Sequence, residues 1–276
     1  MANTQSDLKR YTEANREAWN EVMPLHQRAA KEKWTNSFSR PGFVALDEAE
    51  IELLQQVGLK GKRVVQLLCN NGVELMSLKN MGAGECVGFD ISDEAIKEAN
   101  ERSGLTKIDC KFIRSDVYEI GSEHDDYFDI AYIRAGGMGW LPDLKLFFEK
   151  VAALLRSDGL LFMHEIHPIT DVLPLAGSED ADSLCFAEPY FKTEPYVEYG
   201  GLDYVGNSEH QSTIPQYWFV HTMSSILMSL IDNGIAIEYY SESPTALSPN
   251  HRHIEDANAG IPLSYFLIGR KKNSVG

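Results

Sequence analysis

The sequence predicts an α/β fold: a seven-stranded, mostly parallel sheet with helices on both faces, an N-terminal helical cap and an insertion after the fifth strand. Three observations predict it. Between Arg63 and Ile166, short apolar runs alternate with segments of helical period, the pattern of repeated strand–helix–strand units. The runs read as buried strands, so the sheet needs cover on both sides. Two further strand-like runs close the chain after a late helix, which suggests a hairpin completing the sheet.

Residues 1–58 form the cap. From about Asp7 to Lys33 the pattern is helical and amphipathic, with an expected break at Pro24. A second helix is expected from Phe43 to Val57, stopped by Gly58 as its C-terminal cap. Residues 59–276 form the main domain. "RVVQLLC" is its first strand and "GVELMSLKNMG" the helix after it. "CVGFDI" is the second strand, followed by "SDEAIKEANERSG", a helix with Ser92 as N-cap and Ala95, Ile96 and Ala99 inward. "CKFIRSD" and "FDIAYIRA" are the third and fourth strands. "DLKLFFEKVAALLRSDG" is a helix expected to close at Gly159, and "LLFMHEI" is the fifth strand. From about residue 168 to 220 the alternation stops, and a stretch that long without period reads as a substrate-side insertion or lid. "HTMSSILMSLIDNG" is a helix ending at Gly234, and "IAIEYYSES" and "LSYFLIGRK" are the closing strands.

Composition narrows the partners. The chain has 276 residues, enough for one large domain or a domain plus a cap. Lys plus Arg is 25 and Asp plus Glu is 41, so the formal net charge is 25 − 41 = −16. Such a surface repels a phosphate backbone, so no nucleic-acid partner is expected. Cys69, Cys86, Cys110 and Cys185 form no CxxC pair, which argues against a disulfide framework or a zinc ribbon. No apolar run approaches the roughly 20 residues of a membrane span, and the polar N-terminus lacks a signal-peptide core. A cytoplasmic location without membrane contact is the expectation. No motif sets the oligomeric state.

The chemistry-bearing residues fall at the carboxyl ends of the strands, where ligands sit in doubly wound sheets. Cys69-Asn70-Asn71-Gly72 follows the first strand, with Gly72 free to take positive φ and Asn the next most tolerant residue there. Asp90 ends the second strand about 20 residues on, placed to accept hydrogen bonds from the ribose hydroxyls of an adenosine. Asp116 follows the third strand, an acceptor for the adenine amine, with Val117 offering a backbone N–H to the ring. Ile91 and Ser115 flank these acids. "IRAGGMG" after the fourth strand contributes Arg134 and Met138 at a glycine-rich exit. A dinucleotide needs a GxGxxG turn for its pyrophosphate, and Leu68-Cys69-Asn70-Asn71-Gly72-Val73 fails that pattern. S-adenosylmethionine carries no phosphate and suits the loop better, with S-adenosylhomocysteine as its product.

Residues 61–271 resemble a class I S-adenosylmethionine-dependent methyltransferase. "VVQLLCNNG" is similar to the family's first motif, VLDLGCGxG, and departs from it at Gln66, Leu68 and Asn70. The chain also resembles a bacterial subgroup of small-molecule methyltransferases through "GWLPD" at 139–143, "EIHP" at 165–168, "HTMSSILMSLIDNGIAIEYYSESP" at 221–244 and "ANREAWNEVMPLH" in the cap. The resemblance implies a Rossmann-like fold and methyl transfer to an O, N or S nucleophile of a small molecule. It implies that Gln66 stands where an acid orders the loop and the methionine ammonium. Two alternatives stay open: a degenerate S-adenosylmethionine-binding regulatory protein, and a nicotinamide-dependent oxidoreductase.

Methyl transfer needs alignment and exclusion of water, and a base only where the nucleophile carries a proton. Glu165, His167 and His221 are the candidate bases. Trp19, His26, Trp34, Trp140 and Tyr204 are the candidate substrate contacts, with His26 able to cover the cofactor's methionine end. His164 and His167 fall on opposite faces of a strand, and His251 and His253 lie in a polar loop, so no metal is expected.

Overall fold

The computed structural model describes residues 5–178, 185–202 and 211–272. The chain begins with helix α1, Gln5–His26, which continues through a π-helical turn, Gln27–Lys31, into α2, Glu32–Phe38. The expected break at Pro24 does not occur. Val22, Met23 and His26 are buried around it, and that packing holds the helix together where proline removes one backbone bond. Helix α3 spans Glu48–Gln56, starting five residues later than expected. Asp47 sets that start: its side chain accepts the Glu50 N–H, and residues before it are not helical.

The main sheet has β1 (Val64–Leu67), β2 (Cys86–Asp90), β3 (Lys111–Arg114), β4 (Phe128–Arg134), β5 (Leu155–Ile166), β8 (Ile235–Ser243) and β9 (Ser264–Lys271). Their order is β3-β2-β1-β4-β5-β9-β8. The first five run parallel, and β9 is antiparallel to both its neighbours, as the expected closing hairpin requires. The order reverses at β1, so a crevice opens at the carboxyl ends of β1 and β4. β6 (Tyr196–Tyr199) and β7 (Pro215–Trp218) form a separate antiparallel ribbon inside the insertion, which the sequence pattern did not disclose.

Helices α4 (Val73–Asn80) and α5 (Asp93–Thr106) follow β1 and β2, α6 (Leu144–Leu154) follows β4, and α7 (Met223–Asp232) precedes β8. A short helix, α8 (Arg252–Asp256), lies in the β8–β9 loop. Ser92 caps α5 by accepting the Ala95 N–H. That helix runs past Gly104 to Thr106, and Lys107 closes it in the left-handed conformation. Helix α6 ends at Leu154, not at Gly159, because Leu155 already pairs with Phe128 in the sheet.

Strand residues alternate between two cores. Val65, Leu67, Phe89, Ile133 and Met163 face α6 and α7 through Phe147, Phe148, Val151, Ile226 and Leu230. Val64, Cys86, Ile130, Tyr132 and Phe162 face α3, α4 and α5 through Leu54, Leu75, Met76, Ile96 and Ala99. Each fully buried phenylalanine contributes about 1.5–3 kcal/mol of transfer free energy. Among the described residues, no helix is long and apolar enough to cross a membrane.

Candidate active site

The turn after β1 holds Leu68 (φ 57°), Asn70 (φ 45°) and Gly72 (φ 77°) in the left-handed region. Leucine there costs about 1–2 kcal/mol relative to glycine, and asparagine less. Local bonds over-determine the turn. The Asn70 N–H donates to Asp90 Oδ2 at 2.8 Å, the Gly72 N–H to Cys69 O at 2.9 Å and the Cys69 N–H to Phe89 O at 3.0 Å. From beneath, the buried guanidinium of Arg102 donates to Asn71 O at 2.5 Å and pairs with the buried Glu98. Glu98 in turn accepts from Asn71 Nδ2 at 3.3 Å. Gly72 has no substitute: a Cβ there would lie 2.4 Å from Phe112 Cζ. Cys69 is fully buried, and its thiol is pushed far up by burial, so it packs and does not react.

Asp90 sits at the end of β2 with Oδ1 on the Ser92 N–H at 2.9 Å and Oδ2 on the Asn70 N–H. Burial raises its pKa, and backbone N–H groups of Ser92, Asn70 and Ile91 oppose that shift. Each oxygen keeps a lone pair for an outside donor. Ser115 donates its N–H to Asp90 O at 2.9 Å and its hydroxyl to Asp116 O at 2.9 Å. Asp116 caps the short turn Val117–Glu119 by accepting the Tyr118 N–H at 3.0 Å. Its burial pushes the carboxyl up, and Thr12 of α1 faces it. Val117 is buried in the core cluster. Helix α1 lies across these strand ends: Asn20 Nδ2 donates to Asp93 at 2.8 Å and Asn20 Oδ1 accepts from the Ser92 hydroxyl at 2.8 Å, while Arg16 pairs with Asp93 at 2.8 Å.

The glycine-rich exit of β4 wraps a buried carboxylate. Glu165, near the end of β5 and 1% exposed, accepts the Gly137 N–H on Oε1 at 3.1 Å. Its Oε2 has no hydrogen-bond partner among the described residues. Burial raises its pKa to about 7, against the backbone N–H groups of Gly136, Gly137 and Met138. Glu165, Met138, His167, Asp171, Trp218, Phe219 and His221 line a narrow cleft of about 20 Å³ of water-accessible space. The His221 Nε2–H donates to Leu141 O at 2.8 Å, and burial lowers its pKa, which keeps the ring neutral. Trp218 stands edge-on to Trp140 at 5.1 Å, and Trp140 to Trp19 at 5.4 Å, so an aromatic row leads from α1 into the cleft.

Several expected site residues have other duties. His167 accepts the Ile169 N–H on Nδ1 at 3.1 Å and faces Glu242 with Nε2 at 3.2 Å, so it caps the turn after β5 at the cleft wall. It does not stand free as a base. Arg134, at the end of β4, is held by three acids. Its guanidinium pairs with Glu50 at 2.9 Å, Asp47 at 3.4 Å and Glu74 at 3.7 Å. Glu50 also takes the Tyr132 hydroxyl and His164 Nδ1, the latter at 3.2 Å. Asp47, Glu50 and His164 are close enough to hold an ion, but the Arg134 cation already fills that role. Trp34 packs on the α3–α4 side of the sheet under Lys33, away from the cleft. His26 is buried, its Nε2 bonded to Leu202 O at 2.9 Å, so it anchors the insertion to α1. Gln66 lies buried on β1, on the Val64 face, with no partner for Oε1 among the described residues. Tyr204 lies outside the described residues. Glu50, Glu98, Arg102 and Asp171 were missed. Their only sequence signal was a charge at an apolar helical position or inside an aperiodic stretch.

Residues 64–159 match a family model described as a methyltransferase domain. The ribosomal protein L11 methyltransferase of Enterobacter sp. strain 638 is 24% identical over 54% of this chain and 45% of its own length. The chain thus spans less than half of that curated relative. An S-adenosylmethionine dependent methyltransferase from Mesorhizobium loti superposes with a TM-score of 0.53 at 20% identity, over 80% of this chain and 97% of that one. The geranyl diphosphate C-methyltransferase of Streptomyces coelicolor superposes with a TM-score of 0.61 at 13% identity, over 95% of this chain and 98% of that one. These structural likenesses establish a shared fold.

Proposed function

We propose that this chain is an S-adenosylmethionine-dependent methyltransferase acting on a small-molecule acceptor. The observation that carries the reading is the charge and wiring of the strand-end crevice. The Asn70 and Gly72 N–H groups that would grip a pyrophosphate are spent on Asp90 and on Cys69 O. Asp90 and Glu74 act on the turn at Cys69, Asp116 follows at the end of β3, and the nearby cation Arg134 is tied to Glu50. An acidic crevice with no phosphate grip disfavours a dinucleotide and suits a cationic, phosphate-free adenosyl group. The methyltransferase-domain match over the same strands supports this reading, and the bound products in related structures accord with it.

Asp90 would hold the ribose through its remaining lone pairs, and Asp116 with the Val117 amide would hold the adenine. Leu68 and the backbone at Ala135 and Gly136 would flank the methionine end. The sulfonium supplies an already activated methyl group. Glu165 holds the position of a base: it is rigidly seated, one oxygen is free, and its pKa lies near neutrality. The roof of α1, β7 and Trp140 excludes water from the line of transfer. The narrow cleft and its aromatic wall support a small-molecule acceptor. The test is production of S-adenosylhomocysteine on a panel of amine, hydroxyl and thiol compounds, compared between the parent chain and Glu165→Gln. Product on at least one class, reduced by the substitution, is expected. Tight binding without product on any class would favour the degenerate alternative.

A further inference from the structure

We infer that the cleft selects an acceptor with a small basic amine head and a flat, apolar body. This rests on the methyltransferase reading and names the acceptor that reading leaves open. The cleft presents two carboxylates, Glu165 and Asp171, and none of the described residues lining it is lysine or arginine. Asp171 Oδ1 accepts the Trp218 Nε1–H at 3.1 Å, which fixes the carboxylate against the wall. Among the described residues no cation opposes either acid: burial, with only N–H donors against it, raises Glu165 to about 7 and Asp171 to about 6. Glu165 Oε2 is buried and has no partner among the described residues, an acceptor open to a donor. An acidic acceptor would meet two like charges there, and a hydroxyl would satisfy one oxygen while leaving the negative field unanswered.

Size points the same way. About 20 Å³ of space admits an amino group and not a ring. The body of the acceptor must then lie along Trp218, Trp140 and Trp19, whose rings meet edge to face and offer flat walls to an aromatic or conjugated group. The chemistry balances. The ammonium binds between Asp171 and Glu165 and gives one proton to the Glu165 carboxylate. The freed nitrogen lone pair then bonds to the methyl carbon of S-adenosylmethionine as the C–S bond breaks and its electron pair stays on sulfur.

Isothermal titration of the S-adenosylhomocysteine-saturated full chain with 2-phenylethylamine, phenylacetate and 2-phenylethanol tests this. The amine should bind about tenfold or more tighter than either congener, the size of one charge-assisted hydrogen bond. Asp171→Asn keeps an oxygen for Trp218 and should erase most of that preference, while its melting temperature confirms that it folds. Equal or tighter binding of the acid or alcohol, no binding of the amine at millimolar concentration, or an unchanged preference in Asp171→Asn would overturn the inference. Saturation with S-adenosylhomocysteine in the same samples separates the two claims. If it binds and the amine preference is absent, only the acceptor class falls; if it does not bind, the methyltransferase reading falls first.

Discussion

Replacing Arg102 by methionine should destabilise the fold severely, and replacing Glu98 as well should restore most of the loss. Both side chains are 1% exposed and paired with each other. Burial pushes the Glu98 carboxyl up and the Arg102 guanidinium down, each toward its neutral form, so desolvation outweighs their attraction. Glu98 Oε2 and Arg102 Nε lack partners among the described residues, which leaves that cost only partly offset. Arg102→Met strands a buried carboxylate, at about 3–5 kcal/mol, and orphans the Asn71 carbonyl, at about 1–3 kcal/mol. That is a large share of the roughly 5–15 kcal/mol that holds a domain folded. Glu98→Leu with Arg102→Met removes both charges and should return to within about 2 kcal/mol of the parent chain. Glu98→Leu alone strands the buried guanidinium at a similar cost, so urea unfolding of the two single variants and the double variant should give a coupling of about 5 kcal/mol or more. The double variant should still bind S-adenosylhomocysteine more weakly, because Asn71 has lost both of its braces. Additive losses, or parent-like affinity in the double variant, would refute the argument that this pair holds the turn.

Gly72→Ala should cost about 2–5 kcal/mol in urea unfolding, summing left-handed strain and the clash with Phe112. Glu165→Gln should lower turnover yet raise the melting temperature at pH 8. The folded pKa of Glu165 is raised from 4.5 to about 7, so its contribution is fully present below 4.5 and lost as pH rises through 7. That loss is about 3 kcal/mol at pH 8, and glutamine should recover much of it. Turnover of the parent chain should rise with pH through about 7 and then level off, as the base loses its proton; a flat profile would remove Glu165 from that role. A thiol reagent should label Cys185 alone in the native protein and all four cysteines after denaturation, since Cys69, Cys86 and Cys110 are buried.

Local patterns carried the sheet. Ser92 before α5, Gly72 before α4 and the apolar runs of β1 to β5 are signals written within a few residues, and the structure honours them. The order of acids at successive strand ends was equally legible, because doubly wound topology fixes where strands stop. What failed was long-range. Glu50 meets His164 across 114 residues, and Trp218 meets Asp171 across 47, so neither partner is marked in its own neighbourhood. The glycine-rich exit marks the place of Arg134, but not the acids of α3 and α4 that pair with it. Asn70 and Leu68 looked like lost glycines. The left-handed backbone they adopt, and the bonds from Asp90 and Arg102 that hold it, show a turn kept by other means.

The central claim is that the strand-end crevice holds an adenosyl group through Asp90 without a phosphate grip. Isothermal titration of S-adenosylhomocysteine into the parent chain and into Asp90→Ala tests it most directly, with NADH as the comparison. Saturable binding of S-adenosylhomocysteine at one site, weakened at least about tenfold by Asp90→Ala and not matched by NADH, is the predicted result. No heat from S-adenosylhomocysteine, or tighter binding of NADH, would contradict it.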